Sequence, residues 1–266
     1  MRIGSLFSGI GGLELGLERS IPDAHTVWQV EQNEYARAVL AKHWPNARRY
    51  QDVKEAGAHN LEPVDVICGG FPCQDISVAG KGAGLDGARS GLWTEYARIV
   101  RELRPRYVVV ENVSALLNRG MGRVLGALAA CGYDAVWGCI PAADVGAPHK
   151  RDRLFVVAYT DHQTSSTVRR KRAPIAGENQ SGRNHVRRSA GDAGRSRSVF
   201  GARYSQSRFK QHLRTFDAWT IEPQLDRLAN GVPRRVDRLR CLGNAVVPQV
   251  AEVVGRVIME LDNADL

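Results

Sequence analysis

The sequence predicts an α/β protein built on a doubly wound, mostly parallel sheet, and three observations lead to that fold class. Short apolar runs alternate with helical patterns along the first 160 residues. Two of the runs, "VDVICGG" and "RYVVVENV", are almost continuously apolar, as expected for strands that are buried on both faces of a parallel sheet. The spacing between them leaves room for a helix, which indicates right-handed crossovers.

The elements follow in order from the N-terminus. "RIGSLFS" predicts a first strand, after which Gly9, Gly11 and Gly12 turn the chain into the helix "GLELGLERS". "TVWQVE" and "NEYARAVLAKHW" predict a second strand and a second helix. "GRVLGALAACG", "YDAVWGCI" and "RLFVVAY" later predict a helix and two strands. A helix between the two apolar runs has one apolar face, formed by Leu92, Trp93, Tyr96, Ile99, Val100 and Leu103.

The regular pattern stops near residue 160 and returns near "DAWTIEPQ". Residues 160–215 hold 13 Lys and Arg against 3 Asp and Glu, whereas the rest of the chain holds 24 against 25. We therefore predict a catalytic domain over 1–160, a small basic insert over 161–215, and a segment over 216–266 whose long amphipathic helix completes the catalytic domain. A localised basic surplus favours a polyanionic partner, most simply nucleic acid, and the alternative is a solvated linker.

Composition also excludes several classes of protein. No window approaches the roughly 18 consecutive apolar residues of a membrane helix, and the N-terminus lacks the features of a signal peptide. We therefore expect a cytoplasmic protein with no membrane partner. The five cysteines are an odd number without a C-x-x-C pair, which argues against a disulfide framework and a structural zinc site. We predict no metal site, and we expect Cys68 to be a core thiol.

The stretch "GGFPCQDIS" places Cys73 directly after a proline at the end of a predicted strand. A disulfide, a metal ligand, a buried thiol and a nucleophile are all compatible with that position. Glu111 follows the next apolar run, and ligands of such sheets bind beyond the carboxyl ends of the strands. A thiol and a carboxyl group at one edge suggest addition chemistry on an electrophile. Taken alone, Glu111 would fit a capping or salt-bridging role better.

The glycine-rich turn "FSGIGG" allows the backbone to approach a ligand, and an acidic residue some 20 positions later can bind ribose hydroxyls. Glu31 occupies that place. Asp52 follows the next extended segment, from which it could reach an adenine amino group. Without Asp52, a purely structural turn would be an equally good interpretation.

The ordered set "LFSGIGGLELGLE", "GGFPCQDIS", "ENV", "KRDRLFVVA" and "GNAVVPQVAE" resembles the DNA (cytosine-5) methyltransferase family. The resemblance covers most of residues 1–160 and 219–260 and leaves the basic insert unmatched. It implies a Rossmann-like methyltransferase sheet that binds S-adenosylmethionine, with the insert as a short target-recognition lobe. It also implies an enzyme that methylates carbon 5 of a cytosine flipped out of double-stranded DNA.

Carried over to this chain, the resemblance makes Cys73 the nucleophile that adds to carbon 6 of cytosine, while Glu111 holds or protonates nitrogen 3. Arg151 and Arg153 would support the flipped cytosine and the glutamate. His149 stands where the family usually has glutamine, and the insert is short for a target-recognition domain. The implied cofactor-binding residues are Phe7, Ile10, Gly11, Glu31, Gln32, Asp52, Val53, Pro72, Leu92 and Asn244, with Pro72 also forming the bend that aims Cys73.

Two other functions compete with this one. A catalytically silent DNA-binding protein would have no need of a thiol beside Glu111, Arg151 and Arg153. An enzyme that adds a thiol to free nucleotides, similar to thymidylate synthases, would have no need of a basic insert. We expect a monomer, for which a cognate restriction endonuclease is a candidate partner.

Overall fold

A computed structural model describes residues 1–72, 91–160, 203–213 and 235–264. The predicted nucleophile Cys73, most of the basic insert and residues 214–234 therefore lie outside the described residues. Eight strands form one sheet in the described chain. They are β1 Arg2–Leu6, β2 His25–Val30, β3 Arg48–Tyr50, β4 Val66–Gly69, β5 Tyr107–Val113, β6 Asp134–Pro141, β7 Asp152–Tyr159 and β8 Arg203–Tyr204.

Helices cover both faces of this sheet. One face packs against α3 and α5, and the other packs against α1 and the C-terminal helix α8. The helices are α1 Gly12–Ser20, α2 Glu34–His43, α3 Gly91–Leu103, α4 Leu116–Arg119, α5 Met121–Ala130, α6 Gln206–Lys210, α7 Arg235–Asn244 and α8 Pro248–Ala264.

The strand order is β3-β2-β1-β4-β5-β7-β6-β8, and it confirms the predicted doubly wound sheet. β1 pairs in parallel with both β2 and β4, so the strand order reverses at β1. β7 is antiparallel to its neighbours β5 and β6, which makes the sheet mixed. In such sheets a ligand crevice opens outside the carboxyl ends of the strands at the reversal. The fold therefore predicts a functional site at the carboxyl ends of the strands near β1.

The predicted C-terminal amphipathic helix is α8, and it is a core element. It packs against α1 with no room for side chains at two glycines: a Cβ on Gly16 would lie 2.3 Å from the carbonyl oxygen of Pro248, and one on Gly255 would lie 2.0 Å from Ser20 Oγ. By length and composition alone, Val236–Ala264 could cross a membrane. Its most apolar residues, however, include Val253, Val254 and others that are buried against the sheet.

The last described part of the predicted insert belongs to the sheet. β8 pairs in parallel with β6, and the Gln206 side chain bonds both the N–H of Cys139, at 2.9 Å, and its carbonyl oxygen, at 2.5 Å. On α8, Glu260 accepts hydrogen bonds from Gln211 Nε2 at 2.6 Å and pairs with Arg208 at 3.2 Å. Residues 203–213 are thus tied to the catalytic domain on two sides.

The two ends of the 161–202 segment leave the sheet far from the predicted site. β7 ends at Tyr159, which is opposite the first residues of β5 and β6, Tyr107 and Asp134. β8 begins at Arg203, which is opposite Val136, near the start of β6. Both ends therefore lie toward the amino-terminal ends of the parallel strands β5 and β6, whereas the predicted catalytic residues lie toward their carboxyl ends.

Candidate active site

A cleft of about 900 Å³ opens at the carboxyl ends of the parallel strands. Ile10, Gly11 and Arg151 are not among the described residues that line this cleft, and Gly11 instead packs on Trp44, whose ring lies 2.3 Å from the position of an added Cβ. Ten of the predicted site residues do line it: Phe7, Glu31, Gln32, Asp52, Val53, Pro72, Leu92, Glu111, Arg153 and Asn244.

The carboxylate of Glu31 is held rigidly at the end of β2. Its Oε2 accepts a hydrogen bond from the N–H of Gly9 at 2.8 Å, and its Oε1 accepts one from the N–H of Asn33 at 2.7 Å. Each carboxylate oxygen has two lone pairs, so both retain capacity for ligand hydroxyls. Phe7, at the start of the glycine turn, has a φ of 55°, a left-handed conformation that is costly for a bulky residue. The backbone conformation of the turn beside the cleft therefore lowers local stability.

Asp52 follows β3 and lines the same cleft. Its Oδ1 accepts a hydrogen bond from the N–H of Lys54 at 2.9 Å, which fixes the side chain within a tight turn. The β2 and β3 ends are joined directly by the N–H of Glu31, which donates to the carbonyl oxygen of Tyr50 at 3.0 Å. Two carboxylates with fixed orientations thus stand on adjacent strand ends.

Glu111 and Arg153 form an ion pair on neighbouring strands. Arg153 Nε lies 3.1 Å from Glu111 Oε1, and the two side chains are 24% and 13% exposed. Burial raises the pKa of Glu111, while the charges of Arg153 and Arg151 and the hydrogen bond from Arg153 lower it in part. A cation thus holds the carboxyl group in place, and burial makes the group easier to protonate than a free glutamate.

The turn that leads to residue 73 is fitted to Glu111. A Cβ on Gly70 would lie 2.5 Å from Glu111 Oε2, so any larger residue there would displace the carboxylate. Asn112, which is 3% exposed, donates from Nδ2 to the carbonyl oxygen of Phe71 at 3.2 Å. Sequence reasoning assigned no role to Gly70 or Asn112. The sequence could have indicated a role for both, because Gly70 directly precedes "FPC" and Asn112 lies within "ENV".

Arg151 connects the site to the C-terminal segment. It has a φ of 30°, and its guanidinium donates to the carbonyl oxygens of Gly243, at 2.8 Å, and Ala245, at 2.5 Å. Burial lowers the pKa of Arg151, as does the charge of Arg153, while Glu111 opposes both effects. Because these carbonyls flank Asn244, Arg151 places that residue at the cleft.

The α7 helix forms another wall of the cleft, through Arg240, Cys241 and Asn244. Its outer side carries apolar side chains that are unusually exposed, with Val236 at 78%, Leu239 at 53% and Leu242 at 63%. The sequence analysis did not select Arg240 or Cys241, because their contact with the cleft depends on the position of α7.

Comparisons with known proteins indicate the family of the chain. The model of the C-5 cytosine-specific DNA methylase family matches residues 1–221. Type II methyltransferase M2.BsuMI of Bacillus subtilis is 36% identical over 166 residues, which are 59% of this chain and 42% of that protein. Type II methyltransferase M.HhaI of Haemophilus parahaemolyticus is 31% identical over 163 residues, 60% of this chain and 49% of that protein. The chain thus matches about half the length of these relatives.

Two solved structures resemble the fold along nearly its whole length. A DNA modification methyltransferase encoded within an E. coli prophage superposes with a TM-score of 0.61 at 19% identity, covering 99% of both chains. The Entamoeba histolytica methyltransferase EhMeth superposes with a TM-score of 0.62 at 16% identity, covering 98% of both chains. At these identities the likeness concerns the fold.

Proposed function

Since the chain belongs to the C-5 cytosine-specific DNA methylase family, we propose that it transfers a methyl group from S-adenosylmethionine to carbon 5 of a cytosine flipped out of duplex DNA. The observation that carries the proposal is the half-buried Glu111–Arg153 pair, which lies against the Gly70–Pro72 turn that leads into Cys73. In the proposed reaction Cys73 forms a covalent bond to carbon 6.

The cleft fits S-adenosylmethionine in chemistry and in size. Glu31 presents fixed carboxylate oxygens for ribose hydroxyls, and Asp52 presents a carboxylate for the adenine amino group. Phe7 and Leu92 supply apolar walls in a cleft of about 900 Å³, within the usual range for cofactor sites. When bound, S-adenosylmethionine supplies the electrophilic methyl group.

We expect Glu31→Ala and Asp52→Ala to weaken binding of S-adenosylmethionine. Loss of a charge-assisted hydrogen bond costs about 1.5–3 kcal/mol, which is roughly a 10- to 150-fold loss of affinity. We expect the larger effect at Glu31, because its carboxylate also holds the amides of Gly9 and Asn33. Calorimetric titration measures both affinities. Glu34→Ala, at an exposed residue of α2, is the matched control, and wild-type affinity in both site variants would refute this placement of the cofactor.

The chain's own groups then perform the chemistry on cytosine. The Cys73 thiolate forms a bond to carbon 6 as nitrogen 3 takes a proton from the Glu111 carboxyl, and the electron pair of the 5,6 double bond becomes available at carbon 5. After methylation, carbon 5 loses its proton to a base, the carbon–sulfur bond breaks, and nitrogen 3 returns its proton to Glu111. The raised pKa of Glu111 supports the protonated starting state, and Arg153 stabilises the carboxylate that forms.

DNA is the proposed substrate, and two basic regions could contact it. Arg238 and Arg240 are exposed on α7, beside the cleft. The 161–202 segment is strongly basic, but its ends lie toward the opposite edge of the sheet. We propose that the segment supplies phosphate contacts and that α7 lies closer to the flipped base.

We also propose the domain boundaries of the sequence analysis, with residues 161–215 as a separate lobe. Three further proposals concern the protein as a whole: a monomeric state, a cytoplasmic location and a cognate endonuclease as partner.

Replacing Arg169, Arg170 and Arg172 together by Ala should weaken DNA binding by a similar factor on every sequence. Phosphate contacts carry no sequence information, and each lost contact should flatten the slope of log affinity against log salt by up to about 0.9. Fluorescence anisotropy at several salt concentrations measures both quantities. Lys42→Ala/Arg101→Ala/Arg123→Ala, at exposed residues of α2, α3 and α5, removes three positive charges as well and controls for the change in net charge. A wild-type slope in the triple variant would favour the solvated-linker alternative.

A further inference from the structure

Arg98, on α3, forms hydrogen bonds with two walls of the cleft. Its Nη2 donates to the carbonyl oxygens of Val53, at 3.1 Å, and Ala56, at 2.7 Å, which are 45 and 42 residues away in the chain. Its Nε donates to Glu95 Oε2 at 2.8 Å. Val53 and Glu95 line the cleft, whereas Arg98 is not among the described residues that line it. Arg98 therefore acts on a bound ligand through the residues that it holds.

Glu102, one turn further along α3, strengthens this contact. Its Oε1 accepts a hydrogen bond from Arg98 Nη1 at 2.9 Å, and its Oε2 accepts one from the N–H of Ala58 at 3.0 Å. Gly57 leaves room for both side chains, because a Cβ there would lie 2.7 Å from Glu102 Oε2 and 3.0 Å from Arg98 Nη1. The backbone of residues 53–58 is thus hydrogen-bonded to α3 through two charged side chains.

The turn that Arg98 holds carries the carboxylate assigned to adenine. Asp52 Oδ1 accepts a hydrogen bond from the N–H of Lys54 at 2.9 Å, and the carbonyl oxygen of Asp52 accepts one from the N–H of Glu55 at 3.2 Å. The Asp52 side chain is therefore oriented by the backbone that directly follows it. Because Arg98 holds that backbone at Val53, a shift of the turn would move the carboxylate within the cleft.

A guanidinium is suited to this task. It is planar, carries five N–H donors in fixed directions and stays protonated, so it can hold two carbonyl oxygens and two carboxylates at once. The side chains of Val53 and Ala56 are also buried in the apolar core, at 5% and 0% exposed. Loss of the guanidinium should therefore loosen the orientation of the turn while the apolar contacts keep the turn on the protein.

We propose that Arg98 is a positioning residue that orients Asp52 toward the adenine amino group and thereby sets the preference of the cleft for adenine. The inference rests on the proposed function, since it assumes S-adenosylmethionine with its adenine at Asp52. It goes further by assigning base selection to a residue outside the described lining of the cleft. An amino group donates a hydrogen bond to a carboxylate, whereas a carbonyl oxygen in the same place cannot.

Calorimetry with two ligands tests the proposal without turnover. S-adenosylhomocysteine carries the amino group of adenine, and S-inosylhomocysteine carries a carbonyl oxygen in its place. The ratio of their dissociation constants measures the preference for adenine. Arg98→Met keeps an unbranched side chain and removes every hydrogen bond. We expect roughly tenfold weaker binding of S-adenosylhomocysteine and a change of less than about threefold for S-inosylhomocysteine, so the preference should fall.

The same helix provides a matched control. Arg101→Met, at an exposed arginine of α3, makes the same change in composition and charge and should keep both affinities at the wild-type values. Arg98→Lys retains a charge and three donors, but a single ammonium group cannot hold all four acceptors of the guanidinium. Its preference for adenine should therefore lie between those of the wild-type protein and Arg98→Met.

A double-mutant cycle identifies the residue through which Arg98 acts. Asp52→Ala removes the carboxylate that recognises the amino group, so adding Arg98→Met to it should leave the preference for adenine unchanged. If Arg98→Met lowers the preference by the same factor with and without Asp52, Arg98 acts independently of that residue and the proposal is overturned.

The remaining outcomes separate this inference from the proposed function. A wild-type preference in Arg98→Met would overturn the role of Arg98 and leave the cofactor in place. An equal loss of affinity for both ligands would also overturn it, since that pattern indicates a structural role. If Arg98→Met does not fold, a wild-type preference in Arg98→Lys overturns it. If the wild-type protein binds both ligands equally, or neither, the placement of adenine or the cofactor itself is wrong, and the role of Arg98 falls with it.

Discussion

Replacing Cys73 by serine is expected to reduce methyl transfer by roughly a thousandfold or more, because a neutral hydroxyl is a far weaker nucleophile than a thiolate. Oxygen and sulfur differ little in size, so the substitution removes the nucleophile and leaves the rest of the site nearly unchanged. Incorporation of a tritiated methyl group into DNA measures the loss. We expect the affinity for S-adenosylmethionine to stay within a few-fold of wild type, because the carboxylates assigned to its ribose and adenine, Glu31 and Asp52, are untouched.

Cys241 provides the matched control for this substitution. It is a half-buried cysteine that lines the cleft on α7, and burial raises its pKa, with Glu31 and Asp237 acting in the same direction. Cys241→Ser should therefore retain most of the activity. Substantial turnover by Cys73→Ser, or its loss only in Cys241→Ser, would remove Cys73 from the role of nucleophile.

The second large effect is expected at Glu111. Glu111→Gln keeps the size of the side chain but cannot transfer a proton to nitrogen 3, and general acid catalysis contributes typically 10²- to 10⁴-fold. We therefore expect kcat to fall by about that factor, with cofactor affinity within a few-fold of wild type. Single-turnover kinetics on DNA measure the chemical step. Glu55→Gln, at an exposed residue, serves as the control.

The pH dependence distinguishes an acid from a structural carboxylate. The reactive form of Glu111 is protonated, so methyl transfer should decline as the pH rises through its pKa, which burial raises. Arg153 lowers that pKa, so Arg153→Ala should move the decline to higher pH, and Glu111→Gln should abolish it. A decline that is unchanged in both variants would assign it to another group.

Much of the fold could be predicted from the sequence because burial in a parallel sheet leaves a direct signature. "VDVICGG" and "RYVVVENV" are apolar at nearly every position, and their strands β4 and β5 are buried on both faces. Cys68, predicted as a core thiol, is 0% exposed. The edge that carries Glu31, Asp52 and Glu111 followed from the same reasoning, since polar residues after such strands share one end of the sheet.

Other features depend on contacts between segments that are far apart in the sequence. Arg151 donates hydrogen bonds to carbonyl oxygens about 90 residues away, and no local sequence pattern predicts that contact. Residues 203–213 have the basic, polar composition of the insert, yet β8 and the Gln206 side chain join them to β6. Glu14 lies between the apolar Leu13 and Leu17 in a helical pattern, where a charged residue would be expected to face solvent. Its burial is therefore seen only in the folded structure.

The central claim is a covalent route to 5-methylcytosine, and the most direct test is DNA that contains 5-fluorocytosine. Fluorine cannot leave carbon 5 as a proton does, so the bond between Cys73 and carbon 6 should persist after methylation. We predict a complex that survives denaturing electrophoresis, that forms only with S-adenosylmethionine, and whose peptide map places the nucleotide on Cys73. Cys73→Ser should form none. If ordinary DNA is methylated at carbon 5 while fluorinated DNA yields no such complex, the covalent route is contradicted.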